Sequence, residues 1–102
     1  MTHNYTDNKI FTIIQDIIVE ALRIDPSKVE PDARFIIDLG TESIDVLDIR
    51  FRIEAAFGFK ISDGEVKRHI GEDLTAKEIE EKFTVGSLID YVKERLAEKE
   101  TV

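Results

Sequence analysis

The side chains of this sequence that could take part in chemistry are concentrated around Ser43. The segment DLGTESID places Asp38, Glu42 and Asp45 near this serine, and Asp48 follows one turn later. A serine hydroxyl can act as a nucleophile, or it can cap the first turn of a helix. The pattern therefore raises the question of why an already acidic chain gathers negative charge around one hydroxyl.

Serine hydrolase chemistry is excluded by what surrounds Ser43. The segment lacks the G-x-S-x-G elbow, and the only histidines are His3, in a polar stretch, and His69. Without an evident base, and with acidic neighbours, Ser43 is a poor nucleophile unless another enzyme activates it. Taken alone, the segment favours an ordinary helix cap, because serine is a preferred N-cap residue.

Length and composition predict one small domain. The 102 residues are 42% hydrophobic and 35% charged, which is typical of a globular chain with a small core. We expect a single domain over 1–102, with disordered tails at 1–5 and 99–102. The chain has no cysteine, so it forms neither disulfides nor thiolate metal sites.

The net charge limits the classes of molecule that this protein could bind. A net charge of -8 argues against nucleic-acid binding, because phosphate repels an acidic surface, and favours partners rich in lysine and arginine. No run approaches the roughly 18 apolar residues of a membrane span. The first nine residues lack an apolar signal core. We therefore expect a cytoplasmic protein that does not span a membrane.

Apolar periodicity and caps predict an all-α fold. The expected architecture is a small bundle of three main helices plus one or two short helices, with a long loop between helices 1 and 2. The predicted helices cover 7–22, 43–57, a short stretch toward Ile70, 76–82 and 85–98. Thr6 and Thr84 are the expected caps of the first and last helices, and Ser62–Glu65 and Thr75–Glu78 are possible capping boxes. In the last helix we expect five apolar residues to face inward: Val85, Leu88, Ile89, Val92 and Leu96.

The loop over 23–42 is unusually long for a compact domain. Asp25 and Pro26 predict a short helical turn within it. Four apolar residues are expected to anchor the loop to the core: Val29, Phe35, Ile36 and Leu39. Long loops that are anchored in this way are often functional.

The second predicted helix carries two apolar stripes, although one is enough for a core. The first stripe consists of Val46, Ile49, Ile53 and Phe57, and the second of Ile44, Leu47 and Phe51. The two stripes could form one wide buried face. Alternatively, the second stripe is exposed and docks a partner.

The same residues resemble the acyl carrier protein family. The segment DLGTESIDVLDI is similar to the family's D-L-G-x-D-S-L-D motif, and RIDPSKVEPDARFIIDLG, FGFKI and TVGSLIDYV resemble its linker, second-helix exit and last helix. The resemblance implies a non-catalytic carrier in which a phosphopantetheinyl transferase attaches the 4′-phosphopantetheine of coenzyme A to Ser43. This arm holds an acyl chain as a thioester.

The resemblance also implies roles for the residues around Ser43. Asp38, Leu39 and Gly40 belong to the motif and are predicted to form the cofactor site with Ser43. Partner docking is assigned to Glu42, Ile44, Asp45, Leu47, Asp48 and Phe51. The implied partners, besides the transferase, are acyl-loading, elongating and acyltransferase enzymes of lipid and fatty-acid biosynthesis, and the implied state is a monomer.

Two differences from the family's usual sequence bear on which biosynthetic pathway the protein serves. Arg50 and Arg52 stand in a helix that is usually strongly acidic in the family, and either pair with Glu54 and Asp48 or indicate unusual partners. The segment 63–83 is longer than in a generic carrier, and with the second helix it resembles carriers that serve lipid A and very-long-chain acyl transfer. An unmodified helical interaction module and a carrier for polyketide or amino-acyl chemistry are the alternatives.

Overall fold

Three long helices supply most of the core in a computed structural model that describes residues 6–62, 64–71 and 73–100. These are α1 (Asp7–Leu22), α2 (Ser43–Phe57) and α5 (Val85–Glu100), and α1 packs against both of the others. Two short helices, α3 (Glu65–Ile70) and α4 (Ala76–Lys82), lie between α2 and α5, and a 3-10 helix (Pro26–Lys28) lies in the long loop. The predicted all-α bundle is confirmed.

The termini differ slightly from the prediction. Helix α5 continues to Glu100, so the predicted tail over 99–102 begins inside the helix. Residues 1–5 and 101–102, which complete the predicted tails, lie outside the described residues.

Local capping bonds set the helix boundaries that the sequence predicted. The Thr6 hydroxyl accepts a hydrogen bond from the Lys9 amide at 3.1 Å, and the Thr84 hydroxyl begins α5 in the same way. Thr75 and Glu78 form a complete capping box with distances of 3.0 and 3.2 Å. These bonds satisfy amides that have no partner inside the helix.

Residues from all three long helices and from the loops form one hydrophobic core. In α2 the residues Ile49, Ile53 and Phe57 are 5% exposed or less, which confirms most of the first stripe. Val46 was also predicted to face the core, and this is wrong, because its side chain is 43% exposed. It lies on the inner side of α2, but a cavity rather than a packed side chain lies beneath it.

The long loop is anchored by three of the four predicted residues. Val29 and Phe35 are buried, and Leu39 packs against the core. Ile36 is 38% exposed, so its predicted anchoring role is wrong. Its neighbour Phe35 occupies the core position instead, where its ring stacks on Phe83 with centroids 4.9 Å apart.

Gly86 lies where the start of α5 packs closely against the long loop. Its amide donates to the Pro31 carbonyl oxygen at 2.7 Å, while the Phe35 amide donates to the Phe83 oxygen at 3.1 Å. A Cβ atom at residue 86 would lie 2.9 Å from that Pro31 oxygen. A glycine in a helix usually lowers its stability, but here the close approach to Pro31 requires a residue without a Cβ atom.

Replacing Gly86 with alanine should therefore destabilise the protein. Helix propensity alone predicts a gain of about 1 kcal/mol, whereas the collision with backbone predicts a net loss of about 1–3 kcal/mol. Urea unfolding of Gly86→Ala shows whether the free energy of unfolding rises or falls. The exposed Ala55→Gly in α2 is the control, and it should lose about 1 kcal/mol from propensity alone. A stabilised Gly86→Ala variant would contradict the account.

A polar clasp made by Glu65, Tyr91 and Arg95 joins α3 to α5. The Tyr91 hydroxyl donates to Glu65 Oε2 at 2.6 Å, and the Arg95 guanidinium donates to the same oxygen at 2.5 Å. Ser62 donates its amide and hydroxyl to Glu65 Oε1, which forms one half of the predicted capping box. The sequence did not reveal the other contacts, because they join residues 26 and 30 positions apart.

This clasp gives stability a defined pH dependence. The hydrogen bond from Tyr91, followed by that from Ser62, lowers the pKa of Glu65 from 4.5 to about 2. Burial, followed by the bond to Glu65, raises the pKa of Tyr91 from 10.0 to about 12. The Glu65 contribution is therefore present above pH 4.5 and is lost as the pH falls toward 2. The Tyr91 contribution is present below pH 10 and is lost as the pH rises toward 12.

The variant Glu65→Gln tests how much of the change in stability at low pH is due to the Glu65 carboxylate. We expect wild type to be more stable than the variant above pH 4.5, and the difference to shrink as the pH falls toward 2. Denaturant unfolding at several pH values measures both curves. A difference that stays constant across this range would show that the Glu65 charge contributes nothing.

Candidate functional site

Ser43 is the first residue of α2, and Glu42 is its N-cap. The interpretation of Ser43 as the cap is therefore wrong. Glu42 has extended backbone angles, and its amide donates to Asp45 Oδ2 at 3.0 Å within a reciprocal capping box. The exposed Ser43 hydroxyl makes no hydrogen bond with the described part of the chain. Because the cap is formed by other residues, the hydroxyl is left available.

Arginines balance two of the four acidic residues around Ser43. Asp38 accepts three hydrogen bonds from Arg34, at 2.7 Å from its amide and 3.0 Å from each of two guanidinium nitrogens. These bonds lower the pKa of Asp38. Asp48 pairs with Arg52 at 2.9 Å. The surface near Ser43 is therefore less negative than the sequence suggests.

The three motif residues before Ser43 shape the loop that leads to it. Asp38 closes the turn by binding Arg34, and Leu39 is partly buried against the core. Gly40 has a φ of +67°, which favours glycine, and a Cβ there would meet no atom within 4 Å. The approach to Ser43 is thus open on this side. A direct contact between these residues and a cofactor remains a prediction.

Thr41 is a residue of this loop that the sequence analysis did not single out. Its side chain is 7% exposed, and its Oγ1 atom has no hydrogen-bond partner in the described residues. Its amide donates to the Phe35 carbonyl oxygen at 3.0 Å. Thr41 therefore fixes the backbone just before the cap, while its hydroxyl is closed off from solvent.

The outer face of α2, which we define as Ile44, Leu47 and Phe51, is exposed. The exposed fractions of these side chains are 73%, 48% and 58%. The structure thus decides between the two interpretations of the second stripe, because a wide buried face would cover these residues. An exposed apolar patch of this kind is typical of a surface that binds other proteins.

A cavity of about 100 Å³ opens beside α2. Its lining residues are Phe35, Val46, Ile49, Arg50, Ile53, Ile61, Phe83 and Leu88. Val46 is the most exposed of the lining residues and lies one turn after Ser43, so the mouth of the cavity faces the first turns of α2. Sequence patterns do not reveal such a space, because it depends on how helices from distant segments pack.

None of the helices in the described ranges is long and apolar enough to cross a membrane. Within the same part of the chain, no group of three or more histidine, aspartate or glutamate side chains is arranged to hold a metal ion.

Comparison with known proteins identifies the class. The family model described as "Phosphopantetheine attachment site" matches residues 12–70, which include α2 and the loop before it. The acyl carrier protein of Thermotoga maritima is 32% identical over 88 residues, covering 86% of this chain and 93% of that protein. Acyl carrier proteins from two strains of Helicobacter pylori are 35% identical over 72 residues, covering 71% of this chain and 92% of theirs.

The helical bundle and the family match define a small carrier protein that uses 4′-phosphopantetheine as its cofactor. The chain belongs to the acyl carrier protein family.

The residues present fit this cofactor. Ser43 offers an exposed hydroxyl, and Gly40 leaves the approach to it open. The first-turn amides and the dipole of α2 favour the negative charge of a phosphodiester at this position.

Proposed function

We propose that Ser43 carries the 4′-phosphopantetheine arm and that the protein presents acyl chains to enzymes of lipid and fatty-acid biosynthesis. The observation that carries this proposal is the exposed Ser43 hydroxyl, which is free of any capping role at the start of α2. The terminal thiol of the arm supplies the thioester link to the acyl chain. The chain itself has no cysteine, so it offers no competing thiol.

Different residues would hold the arm and the acyl chain. The Ser43 hydroxyl supplies the oxygen of the phosphodiester link, and the capping box of Glu42 and Asp45 holds the first turn of α2 around it. The cavity beyond Val46 offers the acyl chain a space with a mainly apolar lining. The protein therefore needs no catalytic group, because the enzymes that bind it perform the chemistry.

The outer face of α2 is the proposed docking surface for these enzymes. Ile44, Leu47 and Phe51 form its apolar centre. Glu42 and Asp45 provide negative charge at its edge, where Asp48 also lies, paired with Arg52. A partner with an apolar patch ringed by lysine or arginine would match this arrangement. The proposed partners are the phosphopantetheinyl transferase and acyl-loading, elongating and acyltransferase enzymes in the cytoplasm.

Acylation with a labile cargo tests the proposal. The protein would be incubated with a broad-specificity transferase and hexanoyl-coenzyme A, and intact mass measured before and after treatment with neutral hydroxylamine. We expect a gain of one acylated arm, followed by loss of the acyl group alone, because hydroxylamine cleaves thioesters and leaves the phosphodiester. An unchanged mass would instead favour an unmodified interaction module.

Electrostatic docking gives a separate prediction. Transferase association should slow as salt rises, because exposed charges are screened beyond about 8 Å at physiological ionic strength. The triple change Glu42→Gln, Asp45→Asn and Asp48→Asn should slow association severalfold at low salt and flatten the salt dependence. Amide side chains can still accept the capping hydrogen bonds.

The control for this experiment changes three exposed acidic residues elsewhere. These are Asp16, Glu81 and Asp90. Their neutralisation changes the net charge by the same amount but should affect association less. Equal effects of the two triple variants would show that net charge alone matters, and no effect of either would mean that docking is purely apolar.

A further inference from the structure

The cavity beside α2 is too small for most of a fatty acyl chain. A cavity of about 150 Å³ holds one benzene ring of six carbons, so a volume of about 100 Å³ holds roughly four carbon atoms. A longer chain that enters this cavity must therefore displace part of the lining, or its remaining carbons must stay in contact with water.

Most of the lining belongs to the packed core. Five of the eight lining residues are 5% exposed or less: Phe35, Ile49, Ile53, Ile61 and Leu88. Protein interiors are packed as closely as organic crystals, so moving any of these side chains would open voids or force overlaps elsewhere in the core. These residues therefore form the fixed part of the cavity wall.

Two further lining residues, Val46 and Arg50, lie at the mouth. Val46 is 43% exposed, and the Arg50 side chain is 28% exposed. Arg50 Nε lies 4.0 Å from Glu54 Oε2, and Arg52 pairs with Asp48 at 2.9 Å, so both ion pairs predicted from the sequence are present. Residues at the mouth affect entry of a chain, but they do not limit how far it can extend inside.

Phe83 is the remaining lining residue, and it differs from both groups. Its side chain is only partly buried against the core. It follows α4 directly, and none of the seven residues of that helix is buried. Its ring stacks on Phe35 with centroids 4.9 Å apart. Rotation of the Phe83 ring would disrupt this stack without displacing a buried side chain, so this is the part of the wall that can yield.

The backbone of Phe83 is fixed, although its ring is not enclosed by the core. Its amide donates to the Ile79 carbonyl oxygen at 2.8 Å, and its own carbonyl oxygen accepts from the Phe35 amide at 3.1 Å. The next residue, Thr84, forms an isolated β-bridge with Arg34. Because the backbone is held on both sides, the size of the side chain at residue 83 determines where this side of the cavity ends.

We infer that Phe83 limits the acyl chains that the cavity fully shelters to short ones of about four carbons. This inference rests on the proposed attachment of the arm at Ser43. Removing the ring of Phe83 would add space for roughly six more carbons, since the ring itself is the size of benzene. A smaller side chain at residue 83 should therefore extend shelter to chains of medium length.

Protection of the thioester tests this inference. Wild type, Phe83→Ala and the control Phe59→Ala would be loaded by a broad-specificity transferase from butanoyl- and octanoyl-coenzyme A. Phe59 is also partly buried against the core, and its ring stacks on Phe57, but it does not line the cavity. Hydroxylamine cleavage rates would be divided by those of the same free coenzyme A thioesters, which removes intrinsic reactivity. Chemical shifts of the Ile61 and Leu88 methyl groups would report entry of each chain.

We expect wild type to protect the butanoyl thioester more than the octanoyl thioester. Phe83→Ala should raise protection of the octanoyl thioester by about tenfold or more, as burial of four further CH₂ groups allows. Phe59→Ala should behave as wild type does. Phe83→Leu, which opens less space, should give a smaller gain of the same sign and serves if Phe83→Ala does not fold.

Equal protection of the octanoyl thioester in wild type and in the folded residue-83 variants would overturn the inference, whether that protection is high or absent. An equal gain in Phe59→Ala would also overturn it, because general loosening of the core would then be the cause. If the protein gains no arm at all, it is the proposed function that fails.

Discussion

Ser43→Ala should abolish attachment of the phosphopantetheine arm while leaving the fold intact. The hydroxyl is the only atom of this side chain that could form the phosphodiester, so its removal leaves no oxygen for the link. The stability should change by no more than about 0.5 kcal/mol, because the capping bonds belong to Glu42 and Asp45. Intact mass after incubation with coenzyme A and transferase measures the first effect, and urea unfolding measures the second.

Ser62→Ala is the matched control for this result. Ser62 is also an exposed serine just before a helix, but it lies outside the motif and bonds to Glu65. This variant should be modified as fully as wild type. Persistent modification of Ser43→Ala would place the arm elsewhere, and loss of folding in the same variant would give Ser43 a structural role that the present account denies.

Ile53→Ala should cost about 2–5 kcal/mol of stability, the second large effect. The Ile53 side chain is 1% exposed and already borders the cavity beside α2, so truncation enlarges an existing space and removes core contacts. Phe51→Ala should cost less than about 1 kcal/mol, since its ring is 58% exposed and lies 5.9 Å from the Arg50 guanidinium. Thermal or urea unfolding of the two variants gives the comparison.

The same pair of variants separates stability from docking. Phe51→Ala should weaken association with the transferase by about tenfold or more, as expected for an aromatic residue at the centre of an interface. Comparable large losses of stability in both variants would mean that the outer face of α2 is buried after all. An unchanged association rate for Phe51→Ala would move the docking surface away from this face.

The sequence was sufficient to predict features that depend on neighbouring residues. The bounds of α1 and α4 follow from Thr6 and Thr75, whose capping bonds span only three residues. The end of α2 follows from Gly58, which adopts a φ of +76°. Signals of this kind involve residues only a few positions apart, so the sequence alone is enough to place these helices.

The candidate site shows where this approach fails. Taken alone, the segment favours Ser43 as the cap because serine is preferred there, but an extended Glu42 with Asp45 takes that position. Such competition between adjacent residues is decided by the backbone path of the preceding loop. That path depends on the pairing of Asp38 with Arg34 and on the burial of Phe35.

Contacts between distant segments account for the remaining differences. The cavity beside α2 joins residues as far apart as Phe35 and Leu88, so no local pattern encodes it. Val46 matches the periodicity of the core stripe but lies at the mouth of this cavity and is therefore exposed. Gly86 reads as a defect in a helix until the approach of Pro31 is seen.

Localisation of the arm by tandem mass spectrometry tests the central claim most directly. Wild-type protein modified with coenzyme A and transferase would be digested, and the peptide containing Thr41 and Ser43 fragmented. We expect the whole added mass on Ser43, because its hydroxyl is exposed, and none on Thr41, which is 7% exposed. Added mass on Thr41 or on another peptide, or no added mass in the folded protein, would contradict the account.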